Sequence, residues 1–243
     1  MIKKIKVFNS GKLLADFFAN EILNKLESID EKEYLSIAFS GGSTPKKVFE
    51  YISKNYSDKI AWEKVRIFWS DERCVPPDNE ESNYKMAYDS LLKNISIPEE
   101  NIFRIFGETD PLLEVIRYKI VLKGNIPLIN KIPSFDMMML GLGDDGHTAS
   151  IFPNNISLFS SEEICINTQH PETGQERITL TGKLINNSKN VYFFVTGKGK
   201  AKIVKEILSE DNSNKNYPAS LVEPVDSNLY WLLDKGAASG LKK

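Results

Sequence analysis

The chain has 243 residues, of which 41% are hydrophobic and 26% charged, with a formal net charge of −2. That composition supports a proper core under a polar surface, and the near-neutral charge gives no global attraction to nucleic acid or an anionic membrane, so any anion binding must be local. The two cysteines, Cys74 and Cys165, match neither a disulfide framework nor a zinc spacing, which points to reduced thiols.

In chain order, the first segment, Met1–Val7, alternates like a strand and lacks the apolar core of a signal peptide. No apolar run approaches the roughly 20 residues needed to span a bilayer. A cytoplasmic protein without a membrane partner is expected. Strands are predicted at Ile5–Phe8, Leu35–Phe39, Val65–Trp69, Asp136–Leu140, Val191–Val195 and Leu229–Leu232. Helices are predicted at Lys12–Leu26, Pro45–Asn55, Asn83–Leu92, Leu112–Leu122 and Lys198–Leu208, with a short helical stub at the C-terminus. Alternating β and α elements define an α/β fold with a mainly parallel sheet and right-handed crossovers. The piece from Cys165 to Leu180 adds strand material beyond that alternation. Ser43-Thr44-Pro45 is expected to place a capping hydroxyl just before a proline in the first helical turn.

Four clusters carry candidate chemistry. Ser40-Gly41-Gly42-Ser43-Thr44-Pro45 links a strand to a helix. Its glycines allow close backbone approach, and the helix start offers free N–H groups to an anion such as phosphate. A plain strand-to-helix turn is the alternative, and the lysine and hydroxyl spacing of a Walker loop is missing. Trp69-Ser70-Asp71-Glu72-Arg73 sets three charges directly after an apolar strand, where Asp71 can handle a proton and Arg73 can grip an anion. The alternative there is a solvated loop with an internal ion pair. Arg177, in Glu176-Arg177-Ile178-Thr179-Leu180-Thr181, and Lys200, in Thr196-Gly197-Lys198-Gly199-Lys200-Ala201, are further cations for a phosphate. For them a basic surface face is the alternative.

The fourth cluster is the most constrained. Phe135–Leu140 is an apolar strand that runs into Gly141-Leu142-Gly143-Asp144-Asp145-Gly146-His147. The match to the dinucleotide pattern G-x-G-x-x-G fails in context, because Pro153 cuts short any long helix and no second strand ending in an acid follows about 20 residues on. Asp145 instead stands two residues before His147, one of only two histidines. An adjacent carboxylate at a glycine-rich strand end favours His147 as a general base oriented by Asp145, over a histidine that caps a helix or fills a polar gap. His170, in a loop, carries no such signal. There is no nucleophile elbow, no metal-ligand cluster and no basic stripe or helix-turn-helix for nucleic acid.

These segments, with Ser82-Asn83-Tyr84, Thr148-Ala149-Ser150-Ile151-Phe152-Pro153 and Thr196-Gly197, resemble the 6-phosphogluconolactonases along nearly the whole chain and in the family's order. The resemblance implies a Rossmann-like three-layer fold, with a parallel central sheet flanked by helices and a small extra strand region, as one domain over residues 1–243. It implies hydrolysis of 6-phospho-D-glucono-1,5-lactone, a phosphorylated sugar lactone, with His147 as base. Beside that resemblance, Asp145 is expected to fix the His147 tautomer, and Asp71 to hold sugar hydroxyls or relay a proton. Arg73 or backbone N–H groups would steady the oxyanion. Gly42, Ser43 and Thr44, with Arg177 and Lys200, would grip the phosphate. No cofactor, metal or covalent intermediate is expected, since a lactone is already an activated ester. The segment Pro171–Glu176 departs from the Lys-Pro-Pro that often precedes the Arg177 motif. Glucosamine-6-phosphate deaminases share the fold, but Phe152 stands where their glutamate would be. A non-catalytic sugar-phosphate regulator is a third reading, which the missing DNA-binding module weakens.

Overall fold

The computed structural model describes residues 2–31, 33–209, 216–225 and 227–241. The apolar runs form the centre of a parallel sheet. Strands β2 (Leu35–Phe39), β8 (Met137–Leu140) and β11 (Asn190–Val195) are buried at every position. Near-continuous apolar strands of this kind need both sheet faces covered. With β1 (Ile2–Phe8), β3 (Val65–Trp69), β5 (Ile102–Phe103) and β12 (Asn228–Asp234) they form a seven-stranded sheet, in the order β1-β12-β11-β8-β2-β3-β5. All of its pairings are parallel. Strand β1 lies at one edge and carries Lys3, Lys4 and Lys6 along it, the kind of charge that discourages edge-to-edge pairing.

Helices α1 (Gly11–Ser28), α2 (Ser43–Tyr56), α3 (Asn83–Ser90), α4 (Pro111–Asn125), α5 (Gly182–Ile185) and α6 (Ala201–Leu208) flank the sheet. Helix α1 packs on α2, and α4 packs on the small sheet described below. Their starts are chemically marked. Ser10 accepts from Leu13 N at 3.3 Å, Ser82 accepts from Lys85 N at 3.1 Å, and Asp110 accepts from the N–H groups of Leu112 and Leu113. No helix among the described residues is long and apolar enough to cross a membrane.

The structure corrects the sequence in several places. Helix α2 starts at Ser43, two residues earlier than expected, so Ser43 is not its cap. Gly42 is, with a positive φ of 104° and no side-chain capping bond. Thr44 instead places its hydroxyl 2.9 Å from that of Thr196. The charged run after β3 is no solvated loop: Asp71–Arg73 is itself a strand, β4, with Asp71 and Glu72 buried. It pairs antiparallel with β10 (Glu176–Leu180), which pairs with β9 (Cys165–Gln169). The expected extra strand material thus forms a three-stranded sheet. The third helix stops at Ser90, and a single 3-10 turn over Lys198–Lys200 precedes α6. Strand β5 and a two-stranded hairpin of β6 (Leu128–Ile129) and β7 (Ile132–Pro133) are further strands among the described residues, unforeseen because each is only two residues long.

Glu72 fixes β4 to α3. Its carboxyl accepts from the N–H groups of Arg73, Asn83 and Tyr84 at 2.7–2.8 Å and from the Ser82 hydroxyl at 3.1 Å. Burial pushes this carboxyl up to about 7, against the downward pull of the three N–H groups, with a further small rise from Asp71. A folded-state value above the unfolded one favours folding most at pH below about 4.5. That contribution, on the order of 3 kcal/mol, is withdrawn as pH rises through about 7. Urea midpoints of Glu72→Gln across that window are therefore expected to be flatter with pH than those of the wild type. Parallel curves would show that Glu72 does not titrate there.

Candidate active site

Four adjacent strands of the sheet, β11, β8, β2 and β3, end at one cleft of about 200 Å³. Strand β2 leads outward to β3 on one side while β8 leads to β11 on the other. The cleft therefore lies where the chain changes winding direction, the place where open parallel sheets bind ligands. Its walls include Ser40 to Pro45 after β2, Asp71 and Arg73 on β4, Gly141, Gly143, His147 and Ala149 after β8, Thr196 and Lys200 after β11, and Arg177 on β10. Of the residues singled out from the sequence, His147, Asp71, Gly42, Ser43, Thr44, Arg73, Arg177 and Lys200 all reach this cleft. Asp145 stands behind His147.

The turn after β8 is built to present that histidine. Gly143 N–H donates to the His147 carbonyl at 2.9 Å, and Gly146, at φ 83°, donates to the Gly143 carbonyl at 3.2 Å. Asp145 Oδ1 lies 2.6 Å from His147 Nδ1 and also accepts the His147 N–H at 3.1 Å. Burial works to raise the Asp145 carboxyl, but the hydrogen bonds from the His147 side chain and backbone outweigh it and hold it below the usual carboxylate range. A carboxylate at Nδ1 assigns the proton there, which leaves Nε2 as the free acceptor. Thr148 anchors the next residues by donating to the Gly141 carbonyl at 3.0 Å. Ala149 takes a left-handed conformation, φ 48°, uncommon for a residue with a Cβ.

Asp71 is nearly inaccessible and held by hydroxyls. Ser150 Oγ donates to its Oδ2 at 2.7 Å, and Ser70 Oγ lies 3.3 Å from its Oδ1. Asn83 Nδ2 donates to the Asp71 carbonyl at 2.9 Å. Its side chain occupies the space that a Cβ on Gly41 would need, which explains that glycine. Neither Ser150 nor Asn83 stood out by residue type. Both lie in segments that the family resemblance quotes, and only the fold brings them to Asp71.

The cations fall into two groups. Arg73 and Arg177 stand directly opposite each other on β4 and β10. Arg73 Nη1 donates to the Glu81 carbonyl at 2.5 Å and Arg177 Nη2 to Gln175 Oε1 at 2.9 Å, while the buried Nε of each has no partner among the described residues. Burial first, and then Arg73, pull the Arg177 guanidinium below its usual range. Like charges opposite each other destabilise a strand pair, and the carboxylates of Asp71, Glu81 and Glu72 nearby work against the effect of Arg73 on Arg177. Gln175, in the segment that departs from the family pattern, also donates to Glu81 at 3.0 Å, so this turn steadies both arginines. Lys200 is engaged differently: its ammonium contacts the Leu142 carbonyl and Asp144, each at 2.7 Å. Among the described residues no group of three or more His, Cys, Asp or Glu side chains is placed to hold a metal ion.

The His147–Asp145 pair and the two opposed arginines thus come together around one cleft, at the strand ends of a parallel α/β sheet. The chain's kinship is specific. The model of the family "Glucosamine-6-phosphate isomerases/6-phosphogluconolactonase" matches residues 9–231, and the chain belongs to that family. It is 43% identical over 202 residues to a 6-phosphogluconolactonase of Haemophilus influenzae, covering 83% of this chain and 85% of the relative. It is 36% identical over 211 residues to that of Treponema pallidum, covering 87% and 86%. The crystal structure of a devB protein superposes with a TM-score of 0.93 at 34% identity, covering 99% of this chain and all of the other.

Proposed function

We propose that the chain hydrolyses 6-phospho-D-glucono-1,5-lactone to 6-phospho-D-gluconate, the lactonase step of the oxidative pentose phosphate pathway. The observation that carries this reading is the His147 imidazole, tied to Asp145 through Nδ1 and lining the same cleft as the Arg73–Arg177 pair. The names of the family and of its relatives support the same substrate.

In this reading His147 Nε2 takes a proton from water as the water oxygen bonds to the lactone carbonyl carbon. The tetrahedral oxyanion gathers charge that a guanidinium or backbone N–H groups meet. When the C1–O5 bond breaks, the imidazolium returns its proton to O5, and the new carboxylic acid ionises. Asp145 keeps the ring in the tautomer that can do this. Asp71, fixed by Ser150, holds sugar hydroxyls. The guanidinium groups of Arg73 and Arg177 and the first-turn N–H groups of α2 receive the phosphate. Lys200, bonded to Leu142 and Asp144, contributes charge to that corner and steadies the turn after β8.

Hydrolysis of freshly generated lactone, measured against its spontaneous rate, tests the reading. A rate no greater than background rejects it. Ammonia release from glucosamine 6-phosphate would then point to deamination.

Removing one arginine separates its two effects. Arg177→Met is expected to raise KM for the lactone about tenfold or more, the value of a charge-assisted hydrogen bond, with a smaller change in kcat. The same change removes the repulsion with Arg73, so the urea midpoint is expected to hold or rise. A stable variant with unaltered KM would take Arg177 out of substrate binding.

A further inference from the structure

We infer that Phe152 is a positioning residue for His147, a wall that sets the tilt of the imidazole so that Nε2 faces the substrate. Its ring centroid lies 4.7 Å from that of His147, with the planes at 47°. Phe152 is itself 1% exposed and forms no part of the cleft wall. Whatever it contributes to the reaction therefore passes through the cleft residues that its ring meets, His147 at 4.7 Å and, more distantly, Arg177 at 5.9 Å, so a contribution through His147 shows in kcat and one through Arg177 in KM.

The geometry explains why a second contact is needed. The His147 side chain is about one-third exposed, and Asp145 holds it at a single ring atom, Nδ1. One hydrogen bond fixes a point of the ring and leaves its plane free to swing. Contact with the tilted phenyl ring restricts that swing, and small errors of orientation are costly for proton transfer. The wall is rigid. Phe152 N–H donates to Asn155 Oδ1 at 2.7 Å, and Asn155 Nδ2 donates to Thr168 Oγ1 on β9, also at 2.7 Å. Pro153 follows and restricts the backbone further. The same ring meets the His170 imidazole edge-on at 5.0 Å and the Arg177 guanidinium at 5.9 Å. His170 accepts the N–H groups of Glu172 and Thr173 through Nδ1, so it is tied to its own turn and buttresses the phenyl ring. Once His147 has taken its proton, the imidazolium lies within the roughly 6 Å of an aromatic centroid over which cation–π attraction operates. The ring thus supports both the base and its conjugate acid.

The kinetic arm of the test rests on the proposed lactone hydrolysis, and the spectroscopic arm does not. Phe152→Leu and Phe152→Met are expected to lower kcat about tenfold while KM for the lactone stays within about twofold, and Phe152→Tyr to retain kcat. In the NMR spectrum of the wild-type protein, the carbon-bound ring protons of His147, assigned against His147→Gln, are expected to show a ring-current displacement. That displacement should vanish in the leucine and methionine variants. Wild-type kcat in both of those variants, a loss expressed only in KM, or equal losses in the leucine and tyrosine variants would overturn the inference. So would undisplaced His147 protons in the wild type, a result that needs no variant to fold. Displaced protons in a chain that turns over no lactone would reject the substrate and leave Phe152 as the wall of the imidazole.

Discussion

His147→Ala is expected to bring lactone hydrolysis down to the spontaneous rate, a loss of about 10²–10⁴-fold in kcat. The variant keeps the arginine pair and the first turn of α2, so KM, where it can still be measured, should change little. The fold should persist, because the histidine is partly exposed and its backbone is held by the Gly143 N–H and by Asp145. Added imidazole should restore part of the rate, since the substitution opens space beside Asp145 and Phe152 for a free base. Steady-state rates with and without imidazole, each corrected for background, decide the matter. A variant that keeps most of its rate would move the base elsewhere, and Asp71, a carboxylate that lines the cleft, would be next to test.

The residues behind this expectation are of two kinds with respect to the sequence. His147 and Asp145 are two positions apart in a glycine-rich turn, so their meeting is local and could be read directly from the chain. So could the strands Leu35–Phe39 and Val65–Trp69, which the structure reproduces residue for residue. The Arg73–Arg177 pair could be named but not joined. Its two members come from distant segments, and only the antiparallel register of β4 on β10 sets them opposite. Strand β4 itself was hidden because Asp71-Glu72-Arg73 has the polarity of a solvated loop. It is buried because partners outside the segment, the N–H groups at the start of α3 and the Ser150 hydroxyl, satisfy its carboxylates. The start of α2 was misplaced for a related reason. Serine and threonine are good caps, but Gly42 can adopt the positive φ that turns the chain out of β2, and the helix begins immediately after it. Long-range compensation and special backbone conformations are the information that residue type and spacing omit.

Gly143→Ala tests whether catalysis depends on that local dyad without touching either of its members. An added Cβ would come closer than 3.0 Å to Nδ1 and Cε1 of His147 and to Oδ1 of Asp145, a separation that real Cβ atoms essentially never show. Gly143 does not have a positive φ, so alanine strains no backbone dihedral there. The clash falls on the ends of two partly exposed side chains, which relieve it by swinging outward. The expected result is therefore a dissociation of two properties. The free energy of unfolding in urea should change by no more than about 1 kcal/mol, as for substitutions that leave the core intact. Meanwhile kcat should fall about 10²-fold, because the imidazole loses both its carboxylate partner and its place beside Phe152. KM should move less, since the arginines lie on the other sheet. Near-wild-type turnover in Gly143→Ala would mean that the imidazole works without its contact to Asp145. A large loss of stability would mean instead that the turn after β8 is too rigid to yield, and the 2.9 Å bond from Gly143 N–H to the His147 carbonyl would be the restraint responsible.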